Sequence, residues 1–487
     1  MLRPHRVGDI FGVGAFVTQR SWNIADLMVS RANLLGAHWV REELTATRLH
    51  SGPNAPYHWA TFDRVVNLER RSGIQILGLL DYSNTWRFGD HGTMPHAAVR
   101  LLSADFARYA YAVARHFRGR IRYWQVWNEP DRLVYWHPAP SPGDYATLLS
   151  AAYRAIKRAD RRNVVVMAGT SGVDLPFVRA VAARTRAFDV VSVHPYRNEP
   201  ESDLLQQVAS LRRLHRPIWF TEIGWAAGYG CEVCTSEDQQ ASYLLRFYAL
   251  SAAAGVQRIF WYDLRDDAHV ASDPEGHFGL LRYDLSGKPA FAAYGFLARL
   301  LAGARFTGAE SAGQDGDYAL RFSTSRGPAV VAWTTGYGAS GVGVGWSAGS
   351  AVELDSMGNV ISSVDVRDGW AVINLPADGS PVYMLSSPSL APRIPPGPLL
   401  HFAPPATPVP RVTRSAARRV RIIRRPPVGR RKVVVNHAAW AIRPSPVKHS
   451  SKRPVPRRRE LVLPTSTPSP TPTITEVMAT PQPTGQP

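Results

Sequence analysis

Cysteine is almost absent from this chain of 487 residues. The only two cysteines, Cys231 and Cys234, lie close together in the segment GYGCEVCTS. A lone pair cannot complete a tetrahedral zinc site, and no Cys or His pair at zinc-finger spacing joins it. Three interpretations stay open for the pair: a short-loop disulfide formed in an oxidising compartment, two free thiols, or a redox or metal role.

Long apolar runs are also absent. No run reaches the 18 apolar residues that a membrane-spanning helix requires. The N-terminal segment MLRPHRVGDIFGVGAFV places basic residues before an apolar patch, but Asp9 interrupts the patch and no small-residue cleavage site follows. We therefore interpret this segment as the first strand of the fold. If the protein is exported, we expect a signal upstream of Met1 or one of another kind.

Acidic residues are scarce in the last fifth of the chain. From Ala391 onward 18 Lys and Arg residues face only Glu460 and Glu476, so this stretch carries +16 of the net charge of +19. Its Pro, Arg, Ser and Thr content is too poor in apolar residues to build a core, which predicts a disordered tail over 391–487. The charge favours contact with a polyanion, whereas the lack of a recognition helix or RNA-binding motif argues against a nucleic-acid function.

Short β-branched or aromatic runs alternate with helical patterns from Asp9 to about Asp266. This alternation is typical of repeated βα units around a parallel sheet. The predicted strands are FGVGAF (11–16), HWVREEL (38–44), IQILGLLDYS (74–83), IRYWQVWNEP (121–130), NVVVMAGT (163–170), FDVVSVHPY (188–196), PIWFTEIGW (217–225) and RIFWYDLRD (258–266). Eight such units predict an α/β fold, a closed (β/α)8 TIM barrel, which we assign to residues 1–300.

From about Arg305 the pattern changes to short strands separated by turns. The predicted strands are DYALRFSTS, PAVVAWTT, AVELDSMGNV, WAVINLP and SPVYMLSS, with Gly, Asp, Asn and Ser between them. This pattern predicts a small β-sandwich over residues 301–390, between the barrel and the tail.

Two glutamates close strands of the predicted barrel. Glu129 ends the fourth strand and Glu222 ends the seventh, and a barrel brings the C-terminal ends of its strands to one mouth, where active sites lie. Hydrolysis of a glycosidic bond with retention requires two carboxyl groups about 5–5.5 Å apart, one as acid/base and one as nucleophile. We predict Glu129 in the first role and Glu222 in the second. Taken separately, either glutamate also fits a turn or a stabilising ion pair.

Polar neighbours of the two glutamates fit the same chemistry. Asn128 is placed to hydrogen-bond a sugar 2-hydroxyl, and Tyr196 to orient Glu222. His194 shares the face of Tyr196 on the sixth strand, although a lone histidine there is more often part of a core. Arg41, at the end of the second strand, is expected to keep Glu222 ionised, and that charge in turn favours the protonated form of Glu129.

Four tryptophans, Trp86, Trp136, Trp225 and Trp261, fall at or near strand ends. Their flat apolar faces suit stacking on sugar rings. Tryptophans in these positions are equally well explained as core residues. We retain all four as candidates for substrate binding.

The motifs WNEP (127–130) and TEIGW (221–225) at the ends of strands 4 and 7 resemble clan A of the glycoside hydrolases. Within this clan, the sequence around HWVREEL and YWQVWNEPD is most similar to family 39 and family 5-like barrels, and the resemblance covers roughly residues 9–300. The resemblance implies Glu129 as acid/base, Glu222 as nucleophile, Asn128 beside the acid/base, and a β-sandwich as companion domain. It also matches Arg41, Tyr196 with His194, and Trp261 to clan positions on strands 2, 6 and 8.

Together these observations predict a retaining glycosidase acting on a β-linked glycan or glycoside, without metal or organic cofactor. The alternative is a catalytically silent carbohydrate-binding protein of the cell envelope. Intact carboxylates at 129 and 222 argue for the enzyme. The PTSTPSPTPT segment is similar to extracellular linkers, so we expect an extracellular or cell-envelope location.

Overall fold

A computed structural model of the chain describes residues 2–52, 54–83, 99–228, 234–268, 272–310, 313–336 and 338–391. Trp86, Cys231 and, apart from Ala391, the predicted tail 391–487 lie outside these residues. Seventeen strands, β1 to β17, and nine α-helices, α1 to α9, are formed by the described part of the chain.

Eight parallel strands form the barrel. They are β2 (Phe11–Gly14), β3 (Trp39–Glu43), β4 (Gln75–Leu80), β5 (Tyr123–Val126), β6 (Val164–Val166), β7 (Val191–Val193), β8 (Ile218–Ile223) and β9 (Arg258–Trp261). Their order in the sheet is β6-β5-β4-β3-β2-β9-β8-β7, and a parallel bridge between Val166 and Val190 joins its two ends. Each strand lies within a predicted one, so the predicted TIM barrel is confirmed.

Several barrel strands are short because they stop where an apolar run gives way to polar residues. β7, for example, is the buried tripeptide Val191–Val193, directly before His194. Strands of a parallel sheet are covered on both faces and therefore read as continuous apolar runs. The polar residues that follow each run are left at the mouth of the barrel.

Helices surround the barrel and return the chain to the start of each next strand. They are α1 (Trp22–Leu35), α2 (Ala46–Leu49), α3 (Ala60–Arg71), α4 (Val99–His116), α5 (Pro142–Ala159), α6 (Leu175–Arg184), α7 (Leu204–Arg212), α8 (Glu237–Ala253) and α9 (Pro289–Leu301). Ser141, Asp174 and Ser236 each accept a backbone N–H at the start of α5, α6 and α8. These caps satisfy N–H groups that a helix leaves without an internal partner.

The second domain contains two antiparallel sheets, as the turn-rich sequence predicts. Its strands are β10 (Arg305–Ala309), β11 (Asp317–Thr324), β12 (Gly327–Thr334), β13 (Ser340–Gly345), β14 (Ala351–Leu354), β15 (Val360–Val364), β16 (Trp370–Leu375) and β17 (Val382–Leu385). The larger sheet has the order β1-β10-β11-β12-β17-β14-β15, and β13 pairs with β16. Val330, Val342, Ile373 and Met384 are among the buried residues of the core between the sheets.

The N-terminal segment contributes to both domains. β1 (His5–Arg6) pairs with β10 at the edge of the larger antiparallel sheet, with His5 opposite Phe306, whereas β2 begins the barrel. The sequence pattern assigns the whole segment to the first strand of the barrel, but residues 5–6 belong to the antiparallel sheet instead. Among the described residues, no helix has the length and apolar character needed to cross a membrane.

Candidate active site

Polar side chains from four strand ends meet at the mouth of the barrel. Arg41 lies on β3, Asn128 and Glu129 follow β5, His194 and Tyr196 follow β7, and Glu222 lies on β8. All six were predicted from the sequence as site residues, and the structure brings them into one hydrogen-bonded group.

Glu222 is held from two sides. Nη1 of Arg41 donates to its Oε1 at 2.6 Å, and the hydroxyl of Tyr196 donates to its Oε2 at 3.1 Å. The Arg41 side chain is only 1% exposed, so its attraction for the carboxylate is weakly screened by water. The carboxylate is therefore fixed in orientation as well as in charge.

The charge state of Glu222 results from opposed effects. Burial raises the pKa of Glu222, but the neighbouring His194 and Arg41 and the Tyr196 hydrogen bond outweigh it and leave that pKa below its ordinary value. Burial also raises the pKa of Tyr196 well above its ordinary range, so Tyr196 remains a hydroxyl donor. A buried, ionised carboxylate is what a nucleophile at neutral pH requires.

Glu129 contacts the histidine rather than the arginine. Nδ1 of His194 lies 2.8 Å from Oε1 of Glu129 and 3.5 Å from Oε2 of Glu222. One imidazole nitrogen thus stands between the two carboxyl groups. One carboxyl oxygen of Glu129 and one of Glu222 lie within 4.8 Å of each other, which is close to the separation in retaining glycosidases and shorter than that in inverting ones.

The backbone around Glu129 is strained. Trp127 and Glu129 adopt positive φ values of 71° and 42°, in a region of backbone conformation that residues other than glycine rarely enter. Glu129 N–H donates to the carbonyl of Gly169 on the neighbouring segment, at 3.0 Å. Such strain of about 1–3 kcal/mol per residue persists where the surroundings dictate it, and it concentrates at functional sites.

Gly169 leaves the space that His194 occupies. A Cβ atom at this position would lie 2.1 Å from Nε2 of His194 and 2.8 Å from Oγ1 of Thr221. His194 is fully buried, and its Nε2 has no hydrogen-bond partner among the described residues. The ring is thus positioned by packing on one side and by the two carboxyl groups on the other.

Sequence reasoning did not identify Gln125, which lies beneath the site on β5. Its Oε1 accepts from Nε of Arg41 at 2.7 Å, and its Nε2 donates to Oγ1 of Thr221 at 2.9 Å. Nη2 of Arg41 donates to Oδ1 of Asn128 at 2.9 Å. All three donor-bearing nitrogens of Arg41 are therefore engaged, and the guanidinium links β5 to β8.

Two further residues at the mouth were missed. Nδ2 of Asn128 donates to the hydroxyl of Tyr82 at 3.3 Å, which ties Asn128 to the segment after β4. Burial raises the pKa of Glu43, at the end of β3, to about 7, with Arg41 opposing and Glu222 adding to the rise. A polar residue directly after an apolar run is the pattern that could have identified both residues. After β4, however, several polar residues follow in succession, and the sequence does not distinguish Tyr82 from the others.

The predicted tryptophans differ from the polar residues. Trp136, Trp225 and Trp261 are 4%, 6% and 0% exposed, and they pack edge-on or tilted against Trp127, Tyr243 and one another. Nε1 of Trp261 donates to the carbonyl of Phe278. The structure places these rings in the core, so it offers no open face of Trp261 to a sugar; Trp86 lies outside the described residues.

Glu129, His194 and Glu222 form the one group of three potential metal ligands within the described ranges. Their ligand atoms could surround a small cation. However, Nδ1 of His194 already lies at hydrogen-bond distance from Glu129, and Nε2 is directed away, towards Gly169. The arrangement therefore suits a hydrogen-bonded imidazole better than a metal ligand.

Cys234 lies in the segment that follows β8. It is disulfide-bonded, whereas Cys231 lies outside the described residues. Of the three interpretations of the cysteine pair, the structure favours the disulfide.

Comparison with known proteins finds one matching family model. Residues 109–278 match the family model described as the glycosyl hydrolase catalytic core. This range contains Asn128, Glu129, His194, Tyr196 and Glu222. No curated protein matches the chain by sequence.

Several solved structures share the fold. A family 39 glycoside hydrolase from Bacteroides cellulosilyticus WH2 is 22% identical with a TM-score of 0.66, over 78% of this chain and 81% of that one. A family 39 β-xylosidase from Caulobacter crescentus is 17% identical with a TM-score of 0.56, over 80% and 98%. A family 30 endoxylanase from Clostridium papyrosolvens C71 is 13% identical with a TM-score of 0.57, over 79% and 98%. The resemblance predicted from the motifs is confirmed in fold and in the catalytic-core match.

Proposed function

We propose that this protein is a retaining glycosidase in which Glu129 is the general acid/base and Glu222 the nucleophile. The observation that carries the proposal is that one oxygen of each carboxyl group lies within 4.8 Å of the other at the barrel mouth. This separation is too short to admit a water molecule in line behind the sugar, as inversion requires.

The environments of the two carboxyl groups support different roles. Glu222 is held ionised by Arg41 and Tyr196 and attacks the anomeric carbon, forming a glycosyl ester as the leaving oxygen departs. Glu129 gives its proton to that oxygen and then accepts a proton from the water that hydrolyses the ester. His194 lies beside both groups, and Asn128, held by Arg41, is available to a substrate hydroxyl.

The substrate class proposed is a β-linked glycan or glycoside. The solved structures named above include a β-xylosidase and an endoxylanase, so β-linked xylose belongs in any substrate panel. We also propose an extracellular or cell-envelope location, which the disulfide at Cys234 supports because disulfides persist in oxidising compartments. Contact of the basic tail with a polyanion such as an anionic envelope polymer is part of the same proposal.

The proposal is tested with aryl β-glycosides of xylose, glucose, galactose and mannose. Glu222→Gln should reduce turnover to background while sugar binding persists. Glu129→Gln should lower kcat/KM, which reports formation of the glycosyl ester, about 10²–10⁴-fold on substrates with poor leaving groups and much less on 2,4-dinitrophenyl glycosides, whose departure needs no acid.

Stereochemistry provides an independent readout. Proton NMR of the wild-type reaction should show the β-anomer as the first product released from a β-glycoside. A first-formed α-anomer, or full activity of Glu222→Gln, would contradict the proposal. Glycan binding without any turnover would favour the carbohydrate-binding alternative.

A further inference from the structure

A second pocket lies apart from the barrel mouth, between the barrel and the antiparallel domain. It has a volume of about 700 Å³, within the range of small-ligand sites. Its barrel side is formed by the segment after β7 and the first half of α8. Its other side is formed by the start of β11, the end of β12 and the β16–β17 connection. We call it the seam pocket.

The wall of the seam pocket is a preformed polar network. Nε and Nη2 of Arg246 donate to the two oxygens of Glu201 at 2.8 and 2.6 Å, and Nε1 of Trp333 donates to the same carboxylate at 2.8 Å. Arg246 is only 5% exposed. The hydroxyl of Ser242 donates to the carbonyl of Gly379, which fixes α8 to the opposite wall. Groups held in this way lose little freedom when a ligand binds.

Aromatic rings complete the lining. The ring of Tyr318 stacks on that of Trp333 with centroids 4.9 Å apart and planes 5° from parallel, so one face of Tyr318 is backed and its accessible part borders the pocket. On the barrel side, the hydroxyl of Tyr243 donates to Glu199 at 2.8 Å and accepts from Gln239. Hydroxyl-bearing side chains beside a rigid aromatic surface suit a ligand with both polar edges and apolar ring faces.

Charge restricts the ligand further. Four carboxylates line the pocket, from Glu199, Glu201, Asp238 and Asp378, against one cation, Arg246, which is already paired. An anionic ligand would be repelled and would find no unpaired cation in this lining. A neutral polyhydroxylated chain can donate its hydroxyls to these carboxylates without opposing their charge.

We infer that the seam pocket is a second binding site for a neutral saccharide chain, separate from the catalytic cleft. The segments that build its barrel side follow β7 and β8: the first carries Tyr196, and the second begins directly after the strand that carries Glu222. Trp225 separates the two sites: its Nε1 donates to the carbonyl of Asn198, and its ring contacts Tyr243. The choice of saccharide as ligand rests on the proposed function.

The test is affinity electrophoresis of the full chain carrying Glu222→Gln, so that hydrolysis does not alter the gel. Gels contain xylan, mixed-linkage β-glucan or galactomannan as neutral polymers, with chitosan and polygalacturonate as cationic and anionic ones. We expect retardation by at least one neutral polymer. Ala377→Trp, which fills the pocket from an exposed lining position, should weaken that retardation at least fivefold, and so should Tyr318→Ala.

Ser325→Trp is the matched control. Ser325 is exposed at the turn at the far end of the β11–β12 hairpin and does not line the pocket, so retardation should be unchanged. Thermal melting of each variant verifies folding. If Tyr318→Ala is unfolded, Ala377→Trp alone tests the pocket. Absence of retardation by every neutral polymer, retardation by chitosan alone, or equal retardation of Ala377→Trp and its parent would overturn the inference.

The inference and the proposed function fail separately. With Glu222 intact, Ala377→Trp should hydrolyse a small aryl β-glycoside within twofold of wild type. Loss of glycan retardation with unchanged turnover in Ala377→Trp therefore supports the seam pocket and does not bear on the catalytic assignment. An active Glu222→Gln variant would contradict the catalytic assignment and would not bear on the seam pocket.

Discussion

Arg41 is the residue on which the charge of the site depends, because its guanidinium contacts Glu222, Asn128 and Gln125 at once. Replacing it by methionine removes a buried positive charge beside Glu222, so the pKa of Glu222 should rise. Since the nucleophile must be ionised, the acidic limb of the kcat/KM profile should move to higher pH, with lower activity throughout. The measurement is a pH–rate profile on an aryl glycoside.

Tyr196→Phe is the companion variant for Arg41→Met. It removes one hydrogen bond to Glu222 and no charge, so the acidic limb should move in the same direction by a smaller amount. An acidic limb that stays in place in Arg41→Met would mean that Arg41 does not control the ionisation of the nucleophile.

Gly169 tests whether the position of His194 matters. In Gly169→Ala the added Cβ would overlap the imidazole, so the ring must move away from the carboxyl groups. We expect kcat to fall at least about tenfold, by analogy with other displacements of catalytic groups. Gly308→Ala, where a Cβ would meet nothing within 4 Å, is the control and should keep wild-type kcat. Unchanged kcat in Gly169→Ala would show that His194 is dispensable or tolerant.

At the scale of residues, the polar site was predicted well because polar residues that directly follow the apolar runs of a barrel all lie at its mouth. Gln125 was not predicted because it lies inside a strand, where only the register of the strand decides whether a side chain points into the barrel. Trp261 shows the converse limit: its position near a strand end was correct, but its burial depends on the packing of Trp225 and Phe278, which no local pattern contains. The chemical roles of all these residues stay predictions.

Among the elements, β1 is held by few contacts that can be removed together. It pairs with β10 at two positions, and Nε2 of His5 lies 2.9 Å from the carbonyl of Ala252. Deleting residues 2–6 should lower the free energy of unfolding by about 1–3 kcal/mol, since each hydrogen bond contributes about 0.5–1.5 kcal/mol.

Urea unfolding followed by circular dichroism measures this loss. Arg3→Ala, an exposed side chain that leaves the backbone pairing intact, should unfold at the wild-type urea concentration. An unchanged midpoint after the deletion would mean that β1 does not stabilise the sheet.

Two strands that sequence reasoning missed, β13 and β1, lack a local strand signal for different reasons. β13 reads SGVGVG, and its glycines suppress the usual strand signal, although its valines are buried against β16. β1 has only two residues and owes its existence to a partner about 300 residues later. The barrel strands, by contrast, are predictable from local sequence because burial on both faces favours mostly apolar runs.

For the molecule as a whole, Glu201 joins the two domains. It lies after β7 in the barrel, pairs with Arg246 of α8 and accepts from Trp333 of β12. Glu201→Gln leaves the buried guanidinium without its closest anion, and Glu199 at 3.6 Å compensates only in part. We expect a loss of about 3 kcal/mol in the free energy of unfolding, as for other broken buried pairs.

The same variant reports on cooperativity. Because Glu201 contacts both domains, urea transitions followed by fluorescence and by circular dichroism should move together. Asp365→Asn, which breaks the exposed pair with Arg367, is the control and should change stability by less than about 1 kcal/mol. Two separate transitions, with only one displaced, would contradict the joining role of Glu201.

The pairing of β1 with β10 also constrains how the protein is made. The first strand leaves the ribosome long before Arg305–Ala309 exists, and at about 5–20 residues per second it waits roughly 15–60 s for its partner. During that interval the barrel can close, but the larger antiparallel sheet lacks its edge. Completion of the second domain is therefore a late step that returns to the beginning of the chain, and its sequence separation makes it a slow one.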